Sequence, residues 1–248
     1  MDLPSALLGA IAAARRPVVL SGAGMSAESG VPTFRDALDG LWSRYRPEEL
    51  ATPEAFAADP GLVWRWYRWR RELVAEATPN PGHRALVDLA ALTPGLRVIT
   101  QNVDSLHQAA GSTDVIELHG NLFVDLCSRD RAPVTVTGDS AGDEPPACPR
   151  CGASVRPGVV WFGEHLPEAA FAEARALSAE CDLFLSIGTS SLVSPAADLA
   201  WLAMNAGATI VEINPDRTPL TPHCDHVVTG PSGVVMPALV DGLRELNS

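Results

Sequence analysis

The chain contains no lysine. All 18 of its cationic residues are arginines, and with 30 acidic residues among 248 the formal net charge is −12. Chemistry that modifies lysine side chains therefore cannot act on this protein's own chain, although the arginine content also agrees with a simple bias in genomic base composition. The acidic balance argues against nucleic acid as a partner, because nucleic-acid binders usually display a basic face. Basic proteins remain acceptable substrates.

Long apolar runs are missing as well. None approaches the roughly 18 residues of a membrane-spanning helix. In the N-terminal stretch LLGAIAAARR the charges follow the apolar part, which is the reverse of a secretory signal. The five cysteines are an odd number and do not make a disulfide framework, so a metal site or buried thiols are expected. These absences predict a cytoplasmic protein with no membrane partner, and they leave its oligomeric state open.

Short β-rich runs alternate with helical patterns along most of the chain. The predicted strands are 17–21, 97–102, 115–120, 182–188, 208–214 and 225–230, and the helical patterns include 83–92, 168–179 and 195–207. This alternation predicts an α/β fold with a Rossmann-like, mainly parallel open sheet and helices on both faces.

Two segments break this alternation. Residues 36–79 are rich in tryptophan and helix-like, whereas residues 126–157 are rich in proline, glycine and cysteine. Both are predicted to form a small lobe within a single domain. The large lobe then comprises about 1–35, 80–125 and 158–248.

The stretch 22-GAGMSAESGVPTFR-35 follows the first strand and is predicted to form a glycine-rich turn that leads into a helix. Gly22, Gly24 and Ala27 fit the G-x-G-x-x-G/A spacing, which lets a backbone approach the pyrophosphate of a dinucleotide. A dehydrogenase also needs an acidic residue about 20 positions further on, at the end of a second strand. No such strand follows here. The motif therefore predicts dinucleotide binding without ordinary hydride transfer.

Two further polar clusters follow predicted strands. Gln101, Asn102 and Asp104 suit sugar hydroxyls and a carboxamide, although any one of them could simply cap a helix. His119 ends another strand and precedes a glycine, and its ordinary pKa near 6.5 suits a general base.

Taken together, these motifs resemble the sirtuins, which are NAD-dependent protein lysine deacylases. The matching pieces are GAGMSAESGVPTFR, TQNVDSLH, ELHG, 159-VVWFGE-164, 188-GTS-190 and 212-EINPD-216, in family order across nearly the whole chain. The resemblance implies that acyl groups pass from protein lysines to NAD. The products would be nicotinamide, O-acyl-ADP-ribose and free lysine.

The resemblance also implies roles for individual residues. His119 would be the general base and Asn102 the second catalytic residue. The implied NAD-binding residues are Gly22, Ala23, Gly24, Ser26, Phe34, Arg35, Gln101, Asn102, Asp104, Gly188, Thr189, Ser190, Asn214, Pro215, Asp216 and Ser232. The segment 159–164 would be an ordinary core strand by its composition, but in the family it binds the substrate backbone as an added strand. The implied contacts are Val160, Trp161, Phe162, Gly163 and Glu164.

The helical stretch 64-WRWYRWRRE-72 contains residues that could select the acyl group to be removed. Tyr67 and Arg70 are three residues apart and share one face of a helix. They resemble the Y-x-x-R signature of sirtuins that remove succinyl, malonyl or glutaryl groups, in which the phenol and the guanidinium bind a carboxylate. The alternative is a cationic helix whose Arg65, Arg68 and Arg71 are solvated.

The cysteines depart from the family pattern. Sirtuins bind structural zinc through two C-x-x-C pairs, which would make 126–157 a zinc-ribbon-like insertion. Cys148 and Cys151 form one pair, but Cys127 is followed by Asp130 where the second cysteine belongs. A zinc site of three cysteines, with Asp130 as the fourth ligand, is the prediction. Loss of zinc, with packing or a disulfide in its place, is the alternative, and Cys181 and Cys224 are expected to be small buried hydrophobes.

Other functions compatible with these motifs are protein mono-ADP-ribosylation, plain deacetylation and non-catalytic NAD binding. The set of Asn102, Asp104 and His119 argues against the last of these, because a binding protein needs no base.

Overall fold

The computed structural model describes residues 1–32, 45–136 and 142–246. In chain order its helices and strands are α1 (Ser5–Ala13), β1 (Pro17–Ser21), α2 (Pro47–Leu50), α3 (Pro53–Ala58), α4 (Pro60–Glu76), α5 (Pro81–Leu92), β2 (Arg97–Thr100), α6 (Leu106–Ala110), β3 (Val115–Glu117), β4 (Gly120–Cys127), β5 (Val155–Val159), α7 (Glu168–Glu180), β6 (Leu183–Ile187), α8 (Asp198–Asn205), β7 (Thr209–Asn214), β8 (His226–Thr229) and α9 (Ser232–Leu246). None of the described helices is long and apolar enough to cross a membrane.

The chain forms two compact units. The first comprises Met1–Thr33, Thr78–Leu118 and Glu168–Ser248, and the second comprises Phe34–Ala77 and His119–Pro167.

The first unit contains a six-stranded sheet in the order β3-β2-β1-β6-β7-β8. Every neighbouring pair is parallel. All six predicted strands are present, most of them slightly shorter than predicted, so the predicted fold class is confirmed. From β1 the chain builds the sheet toward β2 and β3, and from β6 it builds in the other direction. This reversal between β1 and β6 is the place where open α/β sheets bind their ligands.

Helices cover both faces of this sheet. On one face Leu7 of α1, Leu86 of α5 and Leu239 of α9 join one buried cluster with side chains from the central strands, such as Val19 and Leu185. Because side chains alternate along a strand, the neighbouring residues of those strands point to the opposite face. On that face α8 packs against β6, β7 and α7.

The glycine-rich segment after β1 differs from the prediction. It forms two single 3-10 turns, Ala23–Met25 and Ala27–Ser29, instead of an α-helix. The second turn ends at Gly30, which has the left-handed conformation (φ 80°). Pro32 then follows, and a proline disfavours helical geometry in the residue before it. The predicted helix is therefore absent from the described residues 22–32, whereas the predicted tight turn is present.

This turn lies directly against the turn that follows β6. The Gly24 N–H donates to Gly188 O over 2.8 Å, and the Gly22 N–H donates to Ile187 O over 3.0 Å. A Cβ atom on Gly24 would lie 2.8 Å from Gly188 Cα, and one on Gly22 would lie 2.8 Å from Thr189 Cα. Gly188 itself has φ 60°, and its Cβ would lie 2.4 Å from Met25 N. Only residues without a side chain allow the two backbones to approach this closely.

The second unit combines helices with a small sheet. The described part of the tryptophan-rich segment contains α2, α3 and α4, and β4 pairs with β5 in an antiparallel, two-stranded sheet. Asp59 begins α4, because its carboxylate accepts a hydrogen bond from Leu62 N–H and Pro60 occupies the first helical position.

The segment 159–164 is not the core strand that its composition predicts. Strand β5 ends at Val159, and residues 161–164 form a β-turn in which the Glu164 N–H donates to Trp161 O over 3.0 Å. Gly163 has φ 85° at the third position of this turn, where a type II turn requires a positive φ. The turn chemistry of glycine therefore prevails over the β propensity of the flanking residues.

We expect Gly188→Ala to lower the free energy of unfolding by about 3 kcal/mol, because the methyl group adds a backbone clash to left-handed strain. Gly207→Ala is the matched control, because Gly207 also has a positive φ (89°) but no atom of the described residues lies within 4 Å of its Cβ position. It should cost only about 1 kcal/mol. Urea unfolding of both variants checks this expectation. Equal losses would show that the close approach contributes nothing to stability.

Candidate active site

In the first unit, polar side chains meet at the carboxyl ends of the central strands. Gln101, after β2, donates from Nε2 to Thr189 Oγ1 over 2.9 Å, and Asn214, at the end of β7, donates from Nδ2 to Thr189 O over 2.7 Å. Thr189 thus connects three strand ends. The structure brings Gln101, Thr189 and Asn214 together as a site at this edge requires.

A second set of side chains converges on the Ser26 hydroxyl, which is 1% exposed. Ser26 Oγ donates to Asp104 Oδ2 over 2.6 Å and accepts from Asn102 Nδ2 over 3.0 Å. His83 Nε2 lies 3.4 Å from the same oxygen. A hydroxyl offers one donor and two acceptor sites, so these three contacts use its full capacity. Asn102 and Asp104 are thereby held in fixed orientations.

Asp104 also contacts the start of α6. Its Oδ1 accepts from Leu106 N–H over 2.9 Å, while Oδ2 binds Ser26. The N-cap of this helix is Ser105, which makes no side-chain cap, so Asp104 is not the helix cap that its residue type alone could provide.

His83 and Asn80 also belong to this cluster, although no sequence motif predicts it. The Asn80 N–H lies 3.4 Å from His83 Nδ1, which places the ring proton on Nε2, toward Ser26. Burial lowers the pKa of His83 to about 4, so its ring is neutral at physiological pH. Asn80 Nδ2 donates to Met25 O over 2.8 Å and braces the turn after β1. The available signal was 80-NPGH-83, an Asn cap with proline at the first helical position, which predicts a helix start but no site.

The remaining predicted NAD residues are distributed as follows. Gly22, Ala23 and Gly24 form the turn against Gly188, and Ser190 continues the turn after β6. The Ser232 hydroxyl is buried and lies 3.4 Å from Met25 O. Pro215 and Asp216 are exposed directly after β7. Phe34 and Arg35 lie outside the described residues.

His119 is the first residue of the second unit. It directly follows Leu118, whose N–H donates to Thr100 O over 2.9 Å at the end of β2. The His119 carbonyl accepts from Val160 N–H over 2.8 Å, which ties this histidine to the segment predicted to bind substrate.

A buried ion pair holds the segment 159–164, which is predicted to bind substrate. Arg156, which is 4% exposed, donates from Nη1 to Glu164 Oε1 over 2.6 Å and from Nη2 to Glu164 Oε2 over 3.0 Å. Glu164 also accepts from Trp161 N–H over 2.8 Å and pairs with Arg131. Burial raises the pKa of Glu164, but these hydrogen bonds outweigh burial and keep it below its ordinary value. The Glu164 carboxylate therefore holds the turn 161–164 in shape, and Phe162 is left 43% exposed on it.

Tyr67 and Arg70 lie on α4. Tyr67 is 2% exposed, and its hydroxyl accepts a hydrogen bond from Trp161 Nε1 over 3.0 Å. Burial raises the pKa of Tyr67 to about 12, and the nearby charge of Arg70 opposes this rise. The charge of Arg70 therefore reaches the Tyr67 hydroxyl, and the convergence of the two side chains on one group stays a prediction. Arg70 Cζ also lies 5.1 Å from the centre of the Trp66 ring.

The other arginines of α4 are partly buried, and each makes a hydrogen bond within the second unit. Arg71 donates to Leu122 O over 2.6 Å and to Asp125 Oδ1 over 2.7 Å. Arg68 donates to Gly142 O over 2.9 Å, and Arg65 to Asp143 O over 3.4 Å. These three arginines bind other parts of the second unit.

The cysteine-rich insertion brings three thiols together. The sulfurs of Cys127, Cys148 and Cys151 all lie within 4.8 Å of one another, and those of Cys127 and Cys151 are 3.5 Å apart. Tetrahedral zinc with Zn–S bonds of about 2.3 Å requires sulfurs roughly 3.8 Å apart. The cluster is therefore compatible with structural zinc, and all five cysteines are free thiols.

Asp130 lies beside this cluster but is not one of its three clustered ligands. The Ala132 N–H and the Cys127 thiol hold the pKa of the Asp130 carboxyl below its ordinary value. Its Oδ1 also lies 3.3 Å from Arg150 Nη2.

Comparisons with known proteins agree with this arrangement. The model of the Sir2 family matches residues 22–195. An NAD-dependent protein deacylase 1 of Pseudomonas aeruginosa is 52% identical over 95% of this chain and 97% of its own length. An NAD-dependent protein deacylase of Methylococcus capsulatus is 51% identical over 98% of each chain.

Solved structures agree as well. A Sir2 homolog–NAD complex superimposes with a TM-score of 0.92 at 46% identity, covering 100% of this chain and 96% of the other. Sir2Tm bound to a propionylated peptide gives a TM-score of 0.83 at 30% identity, covering 96% of this chain and 97% of the other. The chain therefore belongs to the Sir2 family, and it is an NAD-dependent protein deacylase.

Proposed function

We propose that this deacylase removes acyl groups that end in a carboxylate, namely succinyl, malonyl and glutaryl groups, from protein lysines, and that it acts more weakly on acetyl-lysine. The observation that carries the proposal is the buried Tyr67 hydroxyl, on which the charge of Arg70 acts. A buried carboxylate is stable only when it is paired and hydrogen-bonded. Arg70 supplies the charge and Tyr67 supplies a hydroxyl.

The same pair disfavours shorter, neutral acyl groups. An acetyl group has no carboxylate, so it can accept no such hydrogen bond from Tyr67 and form no ion pair with Arg70. Sites built around a polar partner discriminate strongly against analogues that lack it. The preference should therefore come from the carboxylate itself and not from the length of the acyl chain.

NAD is the co-substrate, and when bound it supplies the electrophilic carbon of its nicotinamide ribose. We propose that Gly22, Ala23, Gly24, Gly188 and Thr189 lie against its phosphates, because side chains are absent or small where the two turns meet. Asn102, Asp104 and Gln101 would hold the nicotinamide and its ribose. The remaining predicted contacts are Ser26, Phe34, Arg35, Ser190, Asn214, Pro215, Asp216 and Ser232.

We further propose that Cys127, Cys148 and Cys151 bind one structural zinc ion with Asp130 as the fourth ligand. Zinc accepts a carboxylate oxygen in a tetrahedral site, and the Asp130 side chain lies beside Cys127. Zinc would stabilise the insertion without taking part in the reaction.

His119→Ala tests the proposed general base. We expect kcat to fall about 100-fold or more, because proton transfer is lost, while the KM of the peptide changes far less. The control is His226→Ala on the edge strand β8, which should leave kcat within about twofold. Equal changes in both variants, measured by release of nicotinamide, would contradict the role of His119.

Tyr67→Phe combined with Arg70→Met tests the acyl preference. We expect the ratio of kcat/KM for succinyl-lysine to that for acetyl-lysine peptides to fall about 100-fold, because the carboxylate loses both partners. Arg65→Met on the same helix is the matched control and should keep the ratio. Because the chain has no lysine, any deacylated lysine in the assay comes from the peptide. An unchanged ratio in the double variant would mean that these residues only support the fold.

Metal analysis tests the zinc site. We expect about one zinc ion per purified chain. Asp130→Ala should retain zinc against chelators at least about tenfold more weakly than the wild type, whereas Asp130→Cys, which restores four thiolates, should retain it more strongly. Zinc far below one equivalent would contradict retention. Equal retention of zinc in all three proteins would mean that Asp130 is not a zinc ligand.

A further inference from the structure

The hydrogen bond between Trp161 and Tyr67 connects the substrate turn to helix α4. Trp161 Nε1 donates to the Tyr67 hydroxyl over 3.0 Å, and both side chains are 2% exposed. The ring centroids lie 6.4 Å apart, so the contact is made through the polar tips of the two side chains. A hydrogen bond at this depth is shielded from competing water.

This contact fixes how the Tyr67 hydroxyl can be used. An indole N–H can only donate, so it occupies a lone pair of the hydroxyl and leaves the phenolic proton for another acceptor. Within the described parts of the chain, no residue accepts that proton. Because burial raises the pKa of Tyr67 to about 12, the proton stays in place throughout the physiological range.

Trp161 is itself held on several sides. Arg156 Cζ lies 3.3 Å from the centre of the indole ring, and the Phe56 ring centre lies 5.2 Å from it. The Trp161 backbone N–H donates to Glu164, which also pairs with Arg156. The indole therefore presents its N–H in a fixed direction.

We propose that Trp161 is a specificity-determining residue, which keeps the Tyr67 hydroxyl oriented as a hydrogen-bond donor to the terminal carboxylate of the acyl chain. The inference rests on the proposed function. An ionised carboxylate only accepts hydrogen bonds, so it binds a hydroxyl that offers its proton and is repelled by one that offers a lone pair. Without the indole N–H, the hydroxyl is free to turn its lone pairs toward the acyl group. Arg156 and Glu164 act as positioning residues that hold the indole in place.

The test is a double-mutant cycle with Trp161→Phe, Tyr67→Phe and the combination of both. For each protein, kcat/KM is measured on succinyl-lysine and acetyl-lysine peptides, and the ratio of the two values cancels any loss of folded enzyme or of general peptide binding. We expect Trp161→Phe to lower this ratio about tenfold, mainly through the KM of the succinyl peptide. In the Tyr67→Phe background the same change should have no further effect, because the hydroxyl that it orients is gone.

Trp66→Phe is the matched control. The Trp66 ring also contacts Tyr67, with centroids 4.6 Å apart, but its Nε1 has no hydrogen-bond partner among the described residues. The phenyl ring of this variant still lies beside Tyr67 and against Arg70, and no hydrogen bond to Tyr67 is lost, so it should keep the ratio.

Each of the following outcomes overturns the inference. If the wild-type enzyme prefers succinyl-lysine but Trp161→Phe keeps the ratio, the inference fails and the proposed function stands. If Trp66→Phe lowers the ratio equally, or Trp161→Phe still lowers it in the Tyr67→Phe background, the effect is packing and not hydroxyl orientation. If the wild-type enzyme does not prefer succinyl-lysine, the proposed function fails and this inference fails with it.

Discussion

The backbone approach between the turns after β1 and β6 is the constraint on which the first unit depends. With 2.8 Å between Gly24 N and Gly188 O, neither turn has room for a side chain at the crossing. This close approach lies at the reversal point of the sheet. It places Thr189 where Gln101 and Asn214 can both donate hydrogen bonds to it. The absence of side chains that brings the two turns together also lets a dinucleotide approach the backbone closely, as the glycine-rich motif requires.

In the second unit the corresponding constraint is the buried pair of Arg156 and Glu164. A buried ion pair adds little net stability, but loss of one partner leaves an uncompensated charge. The pair instead fixes the orientation of Trp161, because Glu164 also accepts a hydrogen bond from the Trp161 N–H and Arg156 covers the indole ring. The turn that presents Phe162 and the indole that contacts Tyr67 are thereby fixed by one pair of charges. Under the proposed function, this pair therefore couples stability to substrate selection in this unit.

Much of this arrangement follows from local patterns. The six parallel strands, the tight glycine turn and the helix that carries Tyr67 and Arg70 follow from periodicity and from residue types with narrow conformational preferences. The 3-10 turns and the β-turn at 161–164 do not, because a single left-handed glycine outweighs the propensity of its neighbours. The roles of His83, Asn80 and Arg156 were also missed. Each acts through a partner distant in the sequence, and no spacing rule connects such pairs.

The central claim is that the enzyme recognises a negative charge at the end of the acyl chain. The most direct measurement compares kcat/KM of the wild-type enzyme, with NAD, on peptides carrying succinyl-lysine and its neutral, isosteric carboxamide. These acyl groups share length and shape, so the comparison isolates the charge. We predict a preference of at least about tenfold for the carboxylate, as expected for a charge-assisted hydrogen-bonded pair. Equal rates on the two peptides would contradict the account.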